Sequence, residues 1–515
     1  MTYTHTRAYA GNPGQIYAAR HIILNRGLAG GLPVERVGNS PTRGADRYPR
    51  ATTPCGSSGR KTQQKVEPGC YIKKTDMTTQ HPKDNVTAIG VIKNLPYDKI
   101  SEIAAKTKVD YKAKKLRGVD MMVDCIFAML SSSQVSQRII SIKNGIPLMT
   151  DTNGTSDSKR TVVVHSSFSE RLTRINIDFF KEAYALICSK YLKYVPDAVL
   201  DDMQIIRVDS TMVAETSNKL VEGFSTGMTK NTSSDRRQLK YTMAYNGLNV
   251  VAANVFTERT YSADNAPISK TVAQCLRKRA GMSNGYVFDR GLKDVDDFKC
   301  IAKLTKQNRA FFVGRLNLNR CTQPVETMLP EDSVLADNEV VVTADDKGYL
   351  RAKQSDKWDT SCLYRIIRVR FKTPRPESPR NTRRHARHYD DEMVLITNNF
   401  EKDAIEIVQY YRRRWDIEVF FKFLKQDLSF SHFISTNVHG IQVMLYMTLI
   451  VALLVKIYSI AHNMGPRIAK QAIMTELIRY QTETIKRLEA QVKSMKSEVN
   501  NLKIKILSLQ TSSDH

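Results

Sequence analysis

Apolar positions first fall into a helical period between about Asn85 and Asn144. Val119, Met122, Val123, Ile126, Phe127 and Leu130 recur at three- and four-residue steps, which predicts an amphipathic helix. A second helical stretch opens at Ser167, where Ser167 and Glu170 are spaced as a capping box ahead of Leu172, Ile175, Phe179 and Phe180. The period then shortens. Gln204–Val208, Leu239–Tyr245, Val250–Val255, Gly285–Phe288 and Ala310–Arg315 are short apolar or alternating runs bounded by Gly, Asn and Asp, and read as strands. Thr271–Arg279 and Val295–Leu304 between them read as helices, so the middle of the chain predicts a mixed α/β sheet. A second group of strands is expected at Glu339–Thr343, Leu363–Val369 and Met393–Ile396, followed by one long helix from Lys402 to Leu428.

Two later segments have stronger patterns. Ile441–Val455 is apolar apart from Gln442 and Thr448; it falls short of the roughly 20 residues that cross a bilayer, so a buried core helix is expected and no membrane. In residues 467–510, Ile485, Val492, Val499 and Ile506 share one heptad position and Leu488, Met495, Leu502 and Leu509 its partner. β-Branched residues at the first position with mostly Leu at the second favour a parallel two-stranded coiled coil, and so a homodimer. Glu498 would face Lys503 of the other strand.

Residues 1–80 show no sustained period and are rich in Gly, Pro, Arg, Ser and Thr, which predicts a disordered basic tail, with Met77 as an alternative start of translation. No apolar core of a signal peptide follows the N-terminus. The expected organisation continues with a helical, DNA-binding type of domain at 85–195, an α/β core at 200–318 and 393–462, and a β-rich segment at 319–392 between the two core parts.

Composition changes the picture through charge. Seventy-eight Lys and Arg against 52 Asp and Glu give a net charge of +26 over 515 residues, which calls for a polyanionic partner. The loop Lys372–His388 concentrates part of that charge beside Pro and Ser. The eight cysteines form no CxxC pair and no zinc spacing, so neither a disulfide framework nor a zinc finger is expected.

Three carboxylates carry the candidate chemistry. Asp209 closes the strand pattern IIRVDST and Asp289 closes GYVFDRG; a carboxylate delivered at a strand's end stands at the rim of a sheet, where α/β active sites lie. Aspartates also terminate strands as turn residues, and each taken singly suits that role as well. Glu418 lies in YYRRRWDIEVFFKFLK, where Tyr411, Arg414, Glu418 and Lys425 would share one stripe of a continuous helix. Trp415 reads as a core residue, with base stacking as the alternative. Asp201, Asp202, Asp294, Asp296 and Asp297 are set aside as capping or solvated groups, Glu215 as a residue of the strand's continuation without function, and His165, His432 and His439 as structural.

The spacing Tyr411, Arg414, Glu418, Lys425, with VDST before Asp209's strand end and DRG at Asp289, resembles the signature of the insertion-sequence-four family of DDE transposases. The resemblance runs over about residues 85 to 460. It implies an RNase H-like catalytic core interrupted by a β-rich insertion domain, and an enzyme that cleaves element ends and joins them to target DNA. It implies that Asp209, Asp289 and Glu418 hold Mg²⁺, with Mn²⁺ as a substitute and two ions in the site, and that Tyr411, Arg414 and Lys425 contact DNA. Arg290, beside Asp289, is a further DNA-binding candidate. Double-stranded DNA in a prokaryotic cytoplasm, at the nucleoid, is the implied setting; an RNase H-like nuclease or an inactive DNA-binding protein are the alternatives.

Overall fold

A computed structural model describes residues 86–511, except 114–115, 145–163, 193–194, 197–200, 202, 216–218, 226–235, 280–283, 293, 331–334, 352–356 and 374–391. The expected tail at 1–80, with Met77, lies outside the described residues, as does the basic loop from residue 374 to its end.

Among the described residues, six helices come first: α1 (Ala88–Lys93), α2 (Tyr97–Lys106), α3 (Gly118–Ser131), α4 (Gln137–Asn144), α5 (His165–Arg174) and α6 (Ile177–Leu192). α3 is buried on nearly every side, well beyond the stripe its spacing predicts, because helices from the far end of the chain cover it. These are α11 (Val438–Ala461) and α12 (Pro466–Thr511). α11 runs longer than the expected Ile441–Val455 and is apolar and long enough to cross a membrane; most of it is buried inside the protein, as expected of a core helix. The capping box at Ser167 is not formed. α5 starts two residues earlier, at His165, so Ser167 is inside the first turn and Glu170 pairs with Arg174.

The middle of the chain builds one mixed sheet from β1 (Ile205–Ala214), β2 (Phe224–Ser225), β3 (Arg237–Tyr245), β4 (Val250–Phe256), β5 (Gly285–Phe288), β6 (Phe311–Leu316), β7 (Thr322–Thr327), β8 (Val340–Arg351), β9 (Trp358–Phe371) and β10 (Glu392–Thr397). The order is β2-β3-β1-β5-β6-β10-β9-β8-β7, with β4 also paired to β3. β1, β5 and β6 are parallel neighbours; β3 and β10 run against them, and β4, antiparallel to β3, runs in their direction. The strands of 319–392 hydrogen-bond onto β10 through β9 and so extend the same sheet. β7, with Pro324 and a polar, exposed face, pairs with β8 alone at the sheet's end, the position where a proline costs no ladder bond.

Helices cover both faces. α7 (Asn265–Lys278) and α8 (Val295–Gln307) close over Ile206, Val208, Tyr286, Phe288 and Phe312. On the other face α9 (Ala404–Arg412) packs on Val287, Val313, Ile367 and Leu395. α10 (Trp415–Asp427) sends Ile417, Phe421 and Leu424 into the helical core that α11 dominates. The single helix expected over Lys402–Leu428 is therefore two. The chain breaks at Arg413–Arg414, where Asp416 N–H bonds Arg413 O and Ile417 N–H bonds Arg414 O in three-residue steps.

Candidate functional site

β1 continues five residues past Asp209, so the expectation that Asp209 ends its strand is corrected: it sits mid-strand. The strand runs on because Ser210, Thr211 and Met212 pair with β3 opposite. Alternation places Asp209 on the face of Ile205 and Arg207, the side of α9 and α10. Asp289 follows β5 directly, as expected. The parallel register Ile205↔Gly285 and Arg207↔Val287, continued by two residues, makes Asp209 and Asp289 neighbours on the same face. A Cβ at Gly291 would lie 2.6 Å from Ile268 Cδ1 and 3.0 Å from Asp264 Cβ, so the turn after Asp289 has room only for glycine.

Glu418 enters from the first turn of α10. That turn is fastened by Arg207, a wholly buried side chain that donates to Arg413 O at 3.2 Å and Asp416 Oδ2 at 2.9 Å. Asp209 and Glu418 then share an open cavity of about 370 Å³ with Ser210, Thr211, Phe421, Lys422, Lys425 and Gln426. Lys425 Nζ donates to Met212 O at 3.1 Å, and burial lowers its pKa.

Arg414 lies among the carboxylates. Its Nη1 is 2.5 Å from Glu418 Oε1, and its charge acts on both Asp209 and Asp289. Burial pushes Asp209 up to about 6, with Glu418 and Asp264 adding to the rise and the Ser210 N–H and Arg414 opposing it. Burial would also raise Asp289, but Arg414, the Tyr411 hydroxyl, the Arg290 N–H and Arg315 together hold it below the ordinary carboxylate range.

Two expectations change here. Tyr411 was expected on the DNA backbone; its ring is buried, and its hydroxyl donates to Asp289 Oδ1 at 2.9 Å, so it serves the carboxylate. It also stands on α9, across the break from Arg414. Trp415, read as core, is 54% exposed because the break turns the first residue of α10 outward. Arg290 is half-buried next to Asp289, its Nε without a hydrogen-bond partner. Glu215 lies buried just past the end of β1, and its carboxylate accepts from Leu220 N and Arg237 N.

Sequence reading missed Asp264, Lys240 and Arg207. Lys240 rises buried from β3 and donates to Ser262 O, Ala263 O and Asp264 Oδ1, the last at 2.8 Å, which fixes the loop that brings Asp264 near Asp209. Asp264 standing directly before a helix was the only local signal for it, and helix starts take aspartate routinely.

Hard carboxylate oxygens suit Mg²⁺ or Mn²⁺ in kind. In this arrangement, however, no group of three or more His, Cys, Asp and Glu among the described residues is disposed to hold a metal ion. Glu418 is engaged by Arg414, and Asp289 by Tyr411.

Residues 201–454 match the transposase DDE domain family. A predicted transposase, y4zB, of Sinorhizobium fredii is 24% identical over 172 residues, which is 33% of this chain and 42% of that protein. A predicted transposase of the insertion sequence element IS4SA from Synechocystis is 32% identical over 105 residues, 18% of this chain and 31% of that protein. The chain thus spans less than half the length of either relative. Among solved structures, a piggyBac transposase synaptic complex with hairpin DNA covers 79% of this chain and 83% of its own, at 12% identity and a TM-score of 0.36, a likeness too loose to carry the fold. The segment 201–454, which holds Asp209, Asp289, Glu418 and the sheet that presents them, belongs to the transposase DDE domain family.

Proposed function

We propose that the chain is a DNA transposase: it hydrolyses a phosphodiester at each end of an insertion sequence and joins the freed 3′-OH to target DNA. The observation that carries this is the placement of Asp209 and Asp289 on adjacent parallel strands, on the face from which α10 delivers Glu418, inside a segment of the transposase DDE family. We read β4, β3, β1, β5 and β6 as an RNase H-like core, since three parallel central strands are flanked by an antiparallel pair and covered by helices on both faces.

Asp209, Glu418 and Asp289 would hold divalent cations, Mg²⁺ or Mn²⁺, two in the complete site. When bound, these would activate water and offset the charge gathering on the phosphoryl oxygens. The chain's own residues have separate tasks. Lys425 and Lys422 line the cavity beside Asp209 and Glu418 and hold phosphate there. Arg414 supplies a planar fork that suits a phosphate's two oxygens. Arg290 and Arg315 stand next to Asp289 and add positive charge for a further backbone phosphate. Tyr411 keeps Asp289 oriented through its hydroxyl. With a net charge of +26, the chain binds duplex DNA, and it works in the cytoplasm at the nucleoid. Two copies joined through α12 bring two element ends into one assembly.

The test is strand cleavage of a labelled duplex spanning the end of the element that carries this gene, with Mg²⁺ or Mn²⁺, in wild type and Asp289→Ala. Metal-dependent release of a 3′-OH at the boundary is expected, abolished in the variant while DNA binding persists. Binding without cleavage in either protein would favour a DNA-binding protein without activity; cleavage surviving Asp289→Ala would remove that carboxylate from the triad.

A further inference from the structure

The three carboxylates of the site face a cation that belongs to the chain itself. Arg414 pairs with Glu418 at 2.5 Å, and its charge bears on Asp209 and Asp289 as well. Its side chain is 12% exposed against 35% for Glu418, so the guanidinium is the inner partner and the carboxylate the outer one. Its Cζ lies over the Tyr411 ring, 6.0 Å from the centroid. Among the described residues no group of three or more carboxylates, His or Cys is disposed to hold a metal ion, and Glu418 is the carboxylate that Arg414 occupies.

Position in the backbone supplies the second part of the argument. Arg414 occupies the break between α9 and α10, in a short stretch of three-residue hydrogen bonds rather than in a continuous helix. The neighbouring turn is held independently by Arg207. The Arg414 side chain can therefore swing while the backbone that carries Glu418 stays fixed, and the cavity beside Glu418 is open to receive a phosphate.

Resting on the transposase reading above, we propose that Arg414 is a built-in counter-cation that fills the carboxylate site before DNA arrives and is exchanged for metal when a DNA phosphate draws it out. A guanidinium and a divalent cation compete for Glu418, so the chain alone binds metal weakly. A scissile phosphate offers Arg414 a bidentate acceptor of equal charge. As Arg414 turns to it, Glu418 is released at the moment when a substrate is present. Metal loading is thereby coupled to DNA engagement, which protects the chain from hydrolysing phosphates that are not seated in the cavity.

The experiment measures Mn²⁺ binding to the full chain without DNA, by calorimetry and by loss of the free-ion electron-spin-resonance signal. It compares wild type, Arg414→Lys, Arg414→Gln and Arg414→Gln/Glu418→Gln. Removing a positive charge in contact with a ligand carboxylate should tighten Mn²⁺ binding in Arg414→Gln by about tenfold or more. Arg414→Lys, which keeps the charge, should stay close to wild type, and the double variant should lose the gain. Arg414→Met, which keeps an apolar stem over Tyr411, takes the same part if the glutamine variant does not fold. Equal binding in wild type and Arg414→Gln, or weaker binding in the variant, overturns the proposal. Because the readout is binding by the DNA-free chain, it stands apart from the cleavage assay: cleavage by wild type with no tightening in Arg414→Gln sinks the exchange and leaves the transposase reading intact.

Discussion

Burial lifts Asp209 to about 6, whereas Asp289, one strand away, is held below the usual carboxylate range in spite of its own burial by Arg414, Tyr411 and backbone donors. The two aspartates therefore answer differently to pH. Asp209 has a folded pKa above its unfolded value of 3.8, so between about 4 and 6 the folded chain keeps a proton that the unfolded chain gives up. Stability from this group is complete below pH 4 and is lost as pH rises through 6. A shift of roughly two units corresponds to about 3 kcal/mol. Asp209→Asn should accordingly stabilise the chain by about 1–3 kcal/mol at pH 7.5, with the gain shrinking toward zero below pH 4, as read from denaturation midpoints across that range. Cleavage should vanish in the same variant. A pH-independent stability difference would show that Asp209 is not held at a raised pKa. At this scale Asp209, Asp289 and Glu418 could be singled out as candidates because VDST, DRG and the Tyr-Arg-Glu-Lys spacing are local strings. Lys240, Asp264 and Arg207 could not: their partners lie 22 to 24 residues away for Lys240 and more than 200 for Arg207, and no local period joins them.

Among the elements, the cores of the strands and helices were legible and their ends were not. β8 and β9 run to Arg351 and Trp358, far beyond the apolar runs EVVVT and LYRIIRV, because each is completed by its partner's hydrogen bonds instead of by its own apolar residues. The break at Arg413–Arg414 was hidden for a related reason. Nothing in YYRRRWD disfavours helix, and it is Arg207 beneath, gripping Arg413 O and Asp416, that holds the corner. A second buried arginine does the same for the long strands. Arg365 on β9 pairs with Asp345 on β8 through Nε at 2.8 Å and Nη2 at 2.7 Å, and its Nη1 donates to Lys402 O ahead of α9. Both side chains are almost fully buried. Asp345→Ala leaves the guanidinium charged and unpaired in the sheet and should cost about 3–5 kcal/mol, measured by urea denaturation. Asp345→Leu/Arg365→Met removes both charges and should recover most of that loss. If the single and double variants are equally destabilised, the packing of these strands, rather than the ion pair, joins β8 to β9.

For the whole molecule, the longest row of exposed apolar side chains among the described residues lies on α12. Its first turns are part of the body: Ala469, Ile473 and Leu477 are buried, and Lys470 donates to Leu130 O and Ser132 O at the end of α3. From Ile485 to Ile506 every residue is exposed, including Ile485, Leu488, Val492, Met495, Val499, Leu502 and Ile506. These are the heptad positions read from the sequence, and they form one seam along a helix of 46 residues, about 70 Å long. An exposed seam of this length is stable in water only against a matching surface. A second copy in parallel would supply one, with Glu498 of each strand facing Lys503 of the other. Val492→Lys/Val499→Lys puts four like charges into the centre of such a pair and leaves the buried turns of α12 untouched. The full chain should then change from dimer to monomer in sedimentation equilibrium at micromolar concentration, with the denaturation midpoint of the body unchanged. Coordinated cleavage of two element ends should fall with it, while Mn²⁺ binding to Arg414→Gln in this background keeps its gain. A monomeric wild type would assign the seam to a different partner, and a dimer that survives both substitutions would move the interface to another face.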